Sequence, residues 1–208
     1  TTILLAALTS VMLLVAGIRW LHFLPPVTVI AAAVALFVWQ DPMRSSRIYY
    51  WLHLEETKLG KGMQAWQARV ALGSGGWNGV GLGDGRQKLG FVPEHHTDFI
   101  FSIIGEELGF MGGTIVLGLH GVLFWRGIKI ALNSPDLYGM LLSLGLIGGI
   151  IIQAILNVAV VIGLAPTTGV TLPFISYGGS SLLFSMASIA IILNISLAGE
   201  KERLSKSS

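Results

Sequence analysis

The residues of this chain that are best suited to chemistry lie close together, in the stretch from Gly73 to Gly109. Alternating glycines at 79–85 lead into the cationic segment 86–88 (Arg-Gln-Lys) and then into 93–98 (Pro-Glu-His-His-Thr-Asp), after which the sequence turns apolar. A carboxylate at such a boundary is costly to keep charged, which makes Asp98 a candidate general base. The cations nearby could neutralise it or bind a phosphate.

Asp98 also has a purely structural interpretation. It stands where an apolar helix starts, with Thr97 as the predicted N-cap. The partial positive charge of the helix end would favour the ionised carboxylate. On these residues alone, capping and catalysis both stay open.

The adjacent histidines His95 and His96, together with Asp98, raise the question of a metal site. Neighbouring side chains on one segment rarely point at the same ion, and no distant third ligand is evident in the sequence. We therefore predict no metal site, and we expect His96 to be a hydrogen-bonding neighbour of the carboxylate.

The glycine run itself, with glycines at 79, 81, 83 and 85, does not match a nucleotide-binding motif. The dinucleotide fingerprint needs another spacing and a strand before it and a helix after it. Two roles remain. The backbone could pack closely on a neighbouring element, which we favour, or its N–H groups could face phosphate oxygens.

Glu106 and Glu107 follow Asp98 by about 12 to 14 Å along a regular helix, a depth that would lie inside hydrocarbon. Acidic residues there usually face a cavity, a partner or a transport pathway. The alternative is a polar contact with Gln153 and Asn157, which are four residues apart and share one face of a later helix.

The composition shows which class of protein positions these residues. The 208 residues are 53% hydrophobic and 12% charged, with a mean hydropathy of +0.74, whereas charged residues make up about a quarter of a soluble globule. A net charge of +2 with no basic run gives no reason to expect a nucleic-acid partner. The absence of cysteine excludes disulfides and thiolate chemistry from this chain.

We predict an all-α fold, a polytopic helical membrane protein with five transmembrane helices. The predicted spans are about 3–18, 23–39, 99–125, 138–164 and 182–197. The connections that carry Arg19, then Arg126 and Lys129, then Lys201, Arg203 and Lys206 should be cytoplasmic. The long connection at about 40–97 is then extracytoplasmic, although it holds seven of the thirteen Lys and Arg residues; loops of that length follow the charge rule weakly.

The outer loop contains features of its own. Apolar residues recur at helical spacing from Lys61 to Leu72, which predicts a short amphipathic helix along the membrane surface. Arg44 and Arg47 lie beside the aromatic segment 49–51 and are either interface anchors or ligands of an anionic headgroup. After the fourth span, two prolines and paired glycines within 165–181 predict a re-entrant or tightly turned element whose hydroxyls face the acidic cluster.

Two long motifs in this chain closely resemble those of a known family. They are GLGDGRQKLGFVPEHHTDFIFSIIGEELGF and NVAVVIGLAPTTGVTLPFISYGGSS, and they are similar to the shape, elongation, division and sporulation (SEDS; FtsW/RodA/SpoVE) family. Thr171 stands where the family more often has proline. The glycine-rich segment and the paired histidines look more like the FtsW/SpoVE branch. Since family members have ten spanning helices, the resemblance implies that this chain is the second half of such a protein.

The resemblance implies a peptidoglycan glycosyltransferase that polymerises lipid II during cell division or cell-wall growth, with Asp98 as the essential catalytic aspartate. Arg86 and Lys88 would stabilise the leaving diphosphate, with or without a divalent cation. The expected partners are a class B penicillin-binding protein and other division or elongation membrane proteins. The expected location is the bacterial cytoplasmic (inner) membrane, with the active site on the extracytoplasmic side. The predicted substrate-binding residues are Arg86, Lys88, Glu94, His96, Thr97, Glu107, Tyr177 and Ser180.

Two other functions compete with this one. A flippase or transporter for the same lipid-linked precursor would also account for glutamates within the membrane and for broken helices. A noncatalytic division scaffold would need no acid at all. Loss of polymer formation on replacing Asp98 separates the enzyme from both.

Overall fold

The computed structural model describes residues 2–17, 24–25, 27–29, 32–33, 35–36, 40–60, 62–85 and 98–207. Within these ranges all regular structure is helical, as predicted. The helices are α1 (Thr2–Val15), α2 (Pro42–Leu52), α3 (Leu54–Thr57), α4 (Met63–Gly75), α5 (Ile100–Leu132), α6 (Leu137–Val161) and α7 (Gly179–Ser207).

Three of these helices are long and apolar enough to cross a membrane: Ile100–Leu132, Leu137–Val161 and Gly179–Glu202. They match the third, fourth and fifth predicted spans. The first predicted span contains α1, whose 14 residues are fewer than the roughly 20 that a crossing needs. The second, 23–39, is described at nine of its 17 positions, all of them helical, so the count of five stays a prediction.

Two of the helices begin with an aspartate cap. The side chain of Asp41 accepts a hydrogen bond from the Met43 N–H at 2.9 Å, and Pro42 occupies the first turn of α2. Asp136 accepts from the Gly139 N–H at 3.3 Å at the start of α6. Each carboxylate satisfies a backbone donor that the first turn leaves unpaired, which fixes where the helix begins.

The third span is bent within its length. Gly109 has φ 67° and ψ −164°, and a methyl group at Gly113 would lie 3.4 Å from the ring of Phe101. In a straight helix these two positions are about 18 Å apart along the axis. The chain therefore turns sharply at Gly109 into a short helix, 100–108, and a long one, 110–132, which at about 34 Å can cross the hydrocarbon on its own.

Helix α6 is the centre of the described bundle and contacts α1, α4, α5 and α7. Small residues let the neighbours approach: Gly127 of α5 lies against Ile147, and Gly148 and Gly149 lie against Leu8 of α1. Lipid tails are as apolar as the helix surfaces, so membrane helices associate partly through the van der Waals contact that such close approach gives.

The predicted amphipathic helix is present as α4, and it also packs against the protein. Its buried residues are the small ones, Ala68, Ala71 and Gly75, and Gly75 lies directly on Gly105 of the short helix. Val70, from the apolar stripe, is 38% exposed. Helix α4 thus supports the segment that begins at Asp98.

Charged residues lie at both ends of the bundle. At one end, Arg126 and Lys129 of α5 line a cleft together with Gly199 and Glu200 of α7. The cations assigned to one side by the sequence therefore do share an end of the bundle, except Arg19, which lies outside the described residues. Asp98 lies at the opposite end, where α5 begins and α6 finishes.

Candidate active site

Asp98 lies in the turn just before α5 and is half-buried. The N-cap position of the helix is occupied by Phe99, with no hydrogen bond from a capping side chain; Thr97, the predicted N-cap, lies outside the described residues. The backbone carbonyl of Asp98 accepts a hydrogen bond from Asn157 Nδ2 at 2.8 Å. The same nitrogen donates to the Val170 carbonyl at 2.7 Å. One amide therefore joins α6, the start of α5 and the turn that follows α6.

A cavity of about 290 Å³ opens beside Asp98. Its walls are α2, α4, Phe99 and the turn at 165–170. Gly169 is the part of that turn closest to the carboxylate, since a Cβ there would lie 3.4 Å from Asp98 Oδ2. The polar side chains around the cavity, besides Asp98, are Ser46, Arg47, Tyr50, Gln64, Arg69, Thr167 and Thr168.

The charged residues among the described lining are Arg47, Arg69 and Asp98. Arg47 Nη1 donates to the Thr167 carbonyl and Arg69 Nη2 to the Gly163 carbonyl, each at 3.3 Å. Trp51 Nε1 also donates to the Gly163 carbonyl, at 2.8 Å. Both arginines are therefore anchored to the turn that also contacts the acid.

Sequence reasoning did not place either arginine at the site. The sequence indicates that Arg47 is an interface anchor or headgroup ligand, and Arg69 lies within the segment predicted as the surface helix. The residues that they contact are 120 and 94 positions away along the chain, so no local sequence pattern predicts these contacts.

The segment 165–181 runs beside Asp98, as predicted. Its fold is set by Gln153 of α6, whose Nε2 donates to the Thr171 carbonyl at 3.0 Å and to the Ser181 hydroxyl at 3.2 Å. Thr167 and Thr168 line the cavity. Tyr177 is 83% exposed and Ser180 is also exposed; neither lines the cavity.

The alternative contact proposed for Gln153 and Asn157 is not what the structure shows. Their amide nitrogens bind the turn after α6 and the Asp98 carbonyl. Glu106 and Glu107 both precede the break at Gly109 and belong to the short helix; their depth in the hydrocarbon stays a prediction.

The glycine run closes the break at Gly109. Val80 N–H donates to the Glu106 carbonyl at 3.0 Å, and Gly81 N–H to the Glu107 carbonyl at 3.1 Å. On the other side of the break, the N–H groups of Phe110 and Met111 donate to the carbonyls of residues 76 and 77, at 2.8 and 3.2 Å. The loop thus supplies partners for backbone groups that the interrupted helix would leave unpaired.

The same loop lies against the two carboxylates. The Gly83 N–H donates to Glu107 Oε2 at 3.1 Å. A Cβ at Gly85 would lie 2.9 Å from Glu107 Oε1 and 3.1 Å from Glu106 Oε2. Glu106 is 3% exposed. The favoured prediction, close packing of the glycines on a neighbour, is confirmed, and Glu107 lies at this loop rather than in the Asp98 cavity.

Five predicted substrate-binding residues lie outside the described residues: Arg86, Lys88, Glu94, His96 and Thr97. Their roles stay predictions. Among the described residues no three histidine, aspartate or glutamate side chains lie close enough to hold a metal. Asp98 is the sole carboxylate in the described cavity lining.

These observations define a class of protein: a helical membrane protein with an acid and two arginines around a cavity at one end of its bundle. The chain belongs to the FtsW/RodA/SpoVE family of cell cycle proteins, whose family model matches residues 1–201.

Individual relatives agree with this membership. Stage V sporulation protein E of Bacillus subtilis is 48% identical over 89% of this chain and 51% of its own length. A probable peptidoglycan glycosyltransferase FtsW of Trichlorobacter lovleyi is 46% identical over 92% of this chain and 50% of its own length. The chain therefore spans about half the length of the curated relatives it matches.

Solved structures give the same result. A chain of a peptidoglycan synthase complex, in work on the coordination of polymerization and crosslinking, matches with a TM-score of 0.72 and 30% identity over 90% of this chain and 52% of that one. The rod shape determining protein RodA of Thermus thermophilus matches with a TM-score of 0.57 and 31% identity over 91% of this chain and 46% of that one.

Proposed function

We propose that this chain is part of a peptidoglycan glycosyltransferase that polymerises lipid II into glycan strands. The observation that carries the proposal is the carboxylate of Asp98 on a cavity of about 290 Å³ whose other described charges are two arginines. An acid beside cations suits a reaction in which a hydroxyl is deprotonated while a diphosphate leaves. Relatives named peptidoglycan glycosyltransferases supply the substrate class.

In the proposed reaction, Asp98 takes the proton from a hydroxyl of the acceptor sugar. The hydroxyl oxygen attacks the anomeric carbon of the donor, forming the new glycosidic bond. The bond between that carbon and the phosphate oxygen breaks, and the lipid diphosphate leaves with the electron pair. Asn157 fixes the backbone of Asp98 from α6, which would hold the base in place relative to the cavity.

The proposed location of the cavity is the extracytoplasmic side of the bacterial cytoplasmic membrane. Arg126 and Lys129 lie at the opposite end of the bundle, and cations flanking spans are concentrated in the cytoplasm. The end that carries Asp98 would then face outward. A class B penicillin-binding protein is the proposed partner, supported by the match to a peptidoglycan synthase complex.

The transporter alternative rested on glutamates within the membrane and on broken helices. The third span is indeed broken, at Gly109, but Glu106 and Glu107 beside the break are covered by the glycine run and do not line the described cavity. The described cavity is lined by Asp98 instead, which supports the catalytic proposal.

The test is polymerisation of purified lipid II by the full-length protein with its penicillin-binding partner in detergent. We expect Asp98→Asn to lower the rate by at least about 100-fold, the usual contribution of a general base. The matched control is Asp136→Asn at the other end of the bundle, where asparagine caps a helix as well as aspartate does. Wild-type polymerisation by Asp98→Asn would reject the catalytic role.

A further inference from the structure

We propose that Arg47 and Arg69 bind the diphosphate of the donor, on the wall of the cavity formed by α2 and α4. This inference rests on the proposed function and names the residues that recognise its substrate. The ligand class is a prenyl diphosphate, and its two phosphates would lie between these guanidinium groups and the turn at 163–169.

The charges of the cavity favour such a ligand. Two guanidinium groups and one carboxylate line its described part, so the wall has an excess of positive charge. A guanidinium remains charged at every physiological pH and presents donors in a planar fork that matches phosphate oxygens. The charge is therefore suited to an anion that carries more than one negative charge.

Both arginines are held in place yet have donors to spare. Among the described residues, Arg47 donates one hydrogen bond to the Thr167 carbonyl and Arg69 donates one to the Gly163 carbonyl, whereas a guanidinium has five N–H donors. A positioned cation with unused donors is pre-organised for an anion, because little freedom is lost on binding.

The geometry places the anion at a useful distance from the acid. Arg47 contacts residue 167 of the turn and Asp98 lies against residue 169, and two residues of chain span at most about 7 Å. In a glycosyl diphosphate the reacting carbon is joined directly to the first phosphate. Phosphates at the arginines would then leave that carbon within reach of an acceptor hydroxyl at Asp98.

The exposure of the two arginines differs, which decides the choice of variants. Arg47 is exposed, whereas Arg69 is half-buried and packs its guanidinium on Gly163. Arg69→Gln could therefore lower stability as well as binding. Arg47→Gln removes the charge at an exposed position, and Arg47→Lys keeps the charge without the fork.

The experiment measures equilibrium binding of farnesyl diphosphate to the full-length protein in detergent, with farnesyl monophosphate and phosphatidylglycerol as competitors. We expect Arg47→Gln and Arg69→Gln each to weaken farnesyl diphosphate binding by about tenfold, the loss expected for one charge-assisted hydrogen bond. Arg47→Lys should recover part of the affinity. Arg126→Gln, an arginine at the other end of the bundle, should bind like wild type.

The possible outcomes separate this inference from the proposed function. Unchanged farnesyl diphosphate binding by folded Arg47→Gln overturns the inference, even if Asp98→Asn has lost polymerisation. Normal polymerisation by Asp98→Asn together with weakened binding in the arginine variants rejects the catalytic proposal and leaves the anion site standing. Equal competition by phosphatidylglycerol would make this a general headgroup site and would also overturn the diphosphate assignment.

Discussion

At the scale of single residues, the site depends on an amide that does no chemistry. Asn157 is 1% exposed, and its nitrogen binds the carbonyls of Asp98 and Val170. These two carbonyls belong to different segments that meet at the cavity. Without the amide, both would lie in a buried environment with a donor missing, and the position of the acid would no longer be fixed from α6.

We therefore expect Asn157→Leu, a change of similar volume, to lower the free energy of unfolding by about 1–3 kcal/mol. Polymerisation should fall by more than the folded fraction does, because the acid is mispositioned. Thermal unfolding and lipid II polymerisation measure the two effects. Asn194→Leu, at an exposed position of α7, is the matched control. If activity follows the folded fraction alone, Asn157 only stabilises the fold.

Asp98 could be predicted from the sequence, whereas Arg47, Arg69 and Asn157 could not be assigned to the site. An acid between a polar loop and an apolar helix stands out locally, because its surroundings change within a few residues. The other three act through contacts with residues 120, 94 and 59 positions away. Such contacts follow from how segments pack, which residue spacing does not encode.

At the scale of elements, the central feature is a helix that is interrupted and then repaired by a loop. Unpaired backbone groups are costly near a membrane, where water is scarce. The loop at 76–81 provides two carbonyls and two N–H groups to the two sides of the break at Gly109. The conformation there, φ 67°, is one that glycine adopts with little strain.

We expect Gly109→Ala to destabilise the protein by about 2 kcal/mol or more. A Cβ would need the left-handed conformation and would overlap the backbone of Trp77, 2.6 Å from its carbonyl oxygen. Gly118→Ala is the matched control in the same helix, since nothing lies within 4 Å of its added Cβ. Gly118→Ala should leave the free energy of unfolding unchanged or raise it by up to about 1 kcal/mol.

Thermal unfolding of the full-length protein gives the comparison, and hydrogen exchange at Val80 and Gly81 reports on the loop. Faster exchange at both amides in Gly109→Ala, with no change in Gly118→Ala, is the expected pattern. Equal stability of the two variants would show that the break tolerates a side chain and that the loop does not depend on it.

Hydropathy predicted where the three long helices begin to within three residues, but it ended the third and fifth spans too early and missed this break. Hydropathy averaged over a window of residues changes little at a single glycine. The close packing of the glycine run was predictable, because glycines permit close approach. The element against which the glycine run packs was not predictable, because the sequence around Glu106 and Glu107 is equally compatible with one continuous helix.

At the scale of the whole molecule, the described bundle carries charged residues at both ends. Arg126 and Lys129 lie at one end with the last part of α7, and Asp98 lies at the other with Arg47 and Arg69. Large apolar side chains are exposed along the long helices between them, which is expected where lipid or further helices cover them. Composition was enough to predict this architecture, whereas the orientation depends on a weak rule for long loops.

The orientation can be tested with single cysteines, because this chain contains none. Leu59 is 93% exposed between α3 and α4, and Ser205 is exposed near the end of α7. In a full-length protein freed of any other cysteine, Leu59→Cys should react with a membrane-impermeant maleimide in intact spheroplasts. Ser205→Cys should react only after the membrane is permeabilised. The reverse pattern would place the acid, the arginines and the cavity on the cytoplasmic face, where a polymerase that builds wall outside the membrane could not use them.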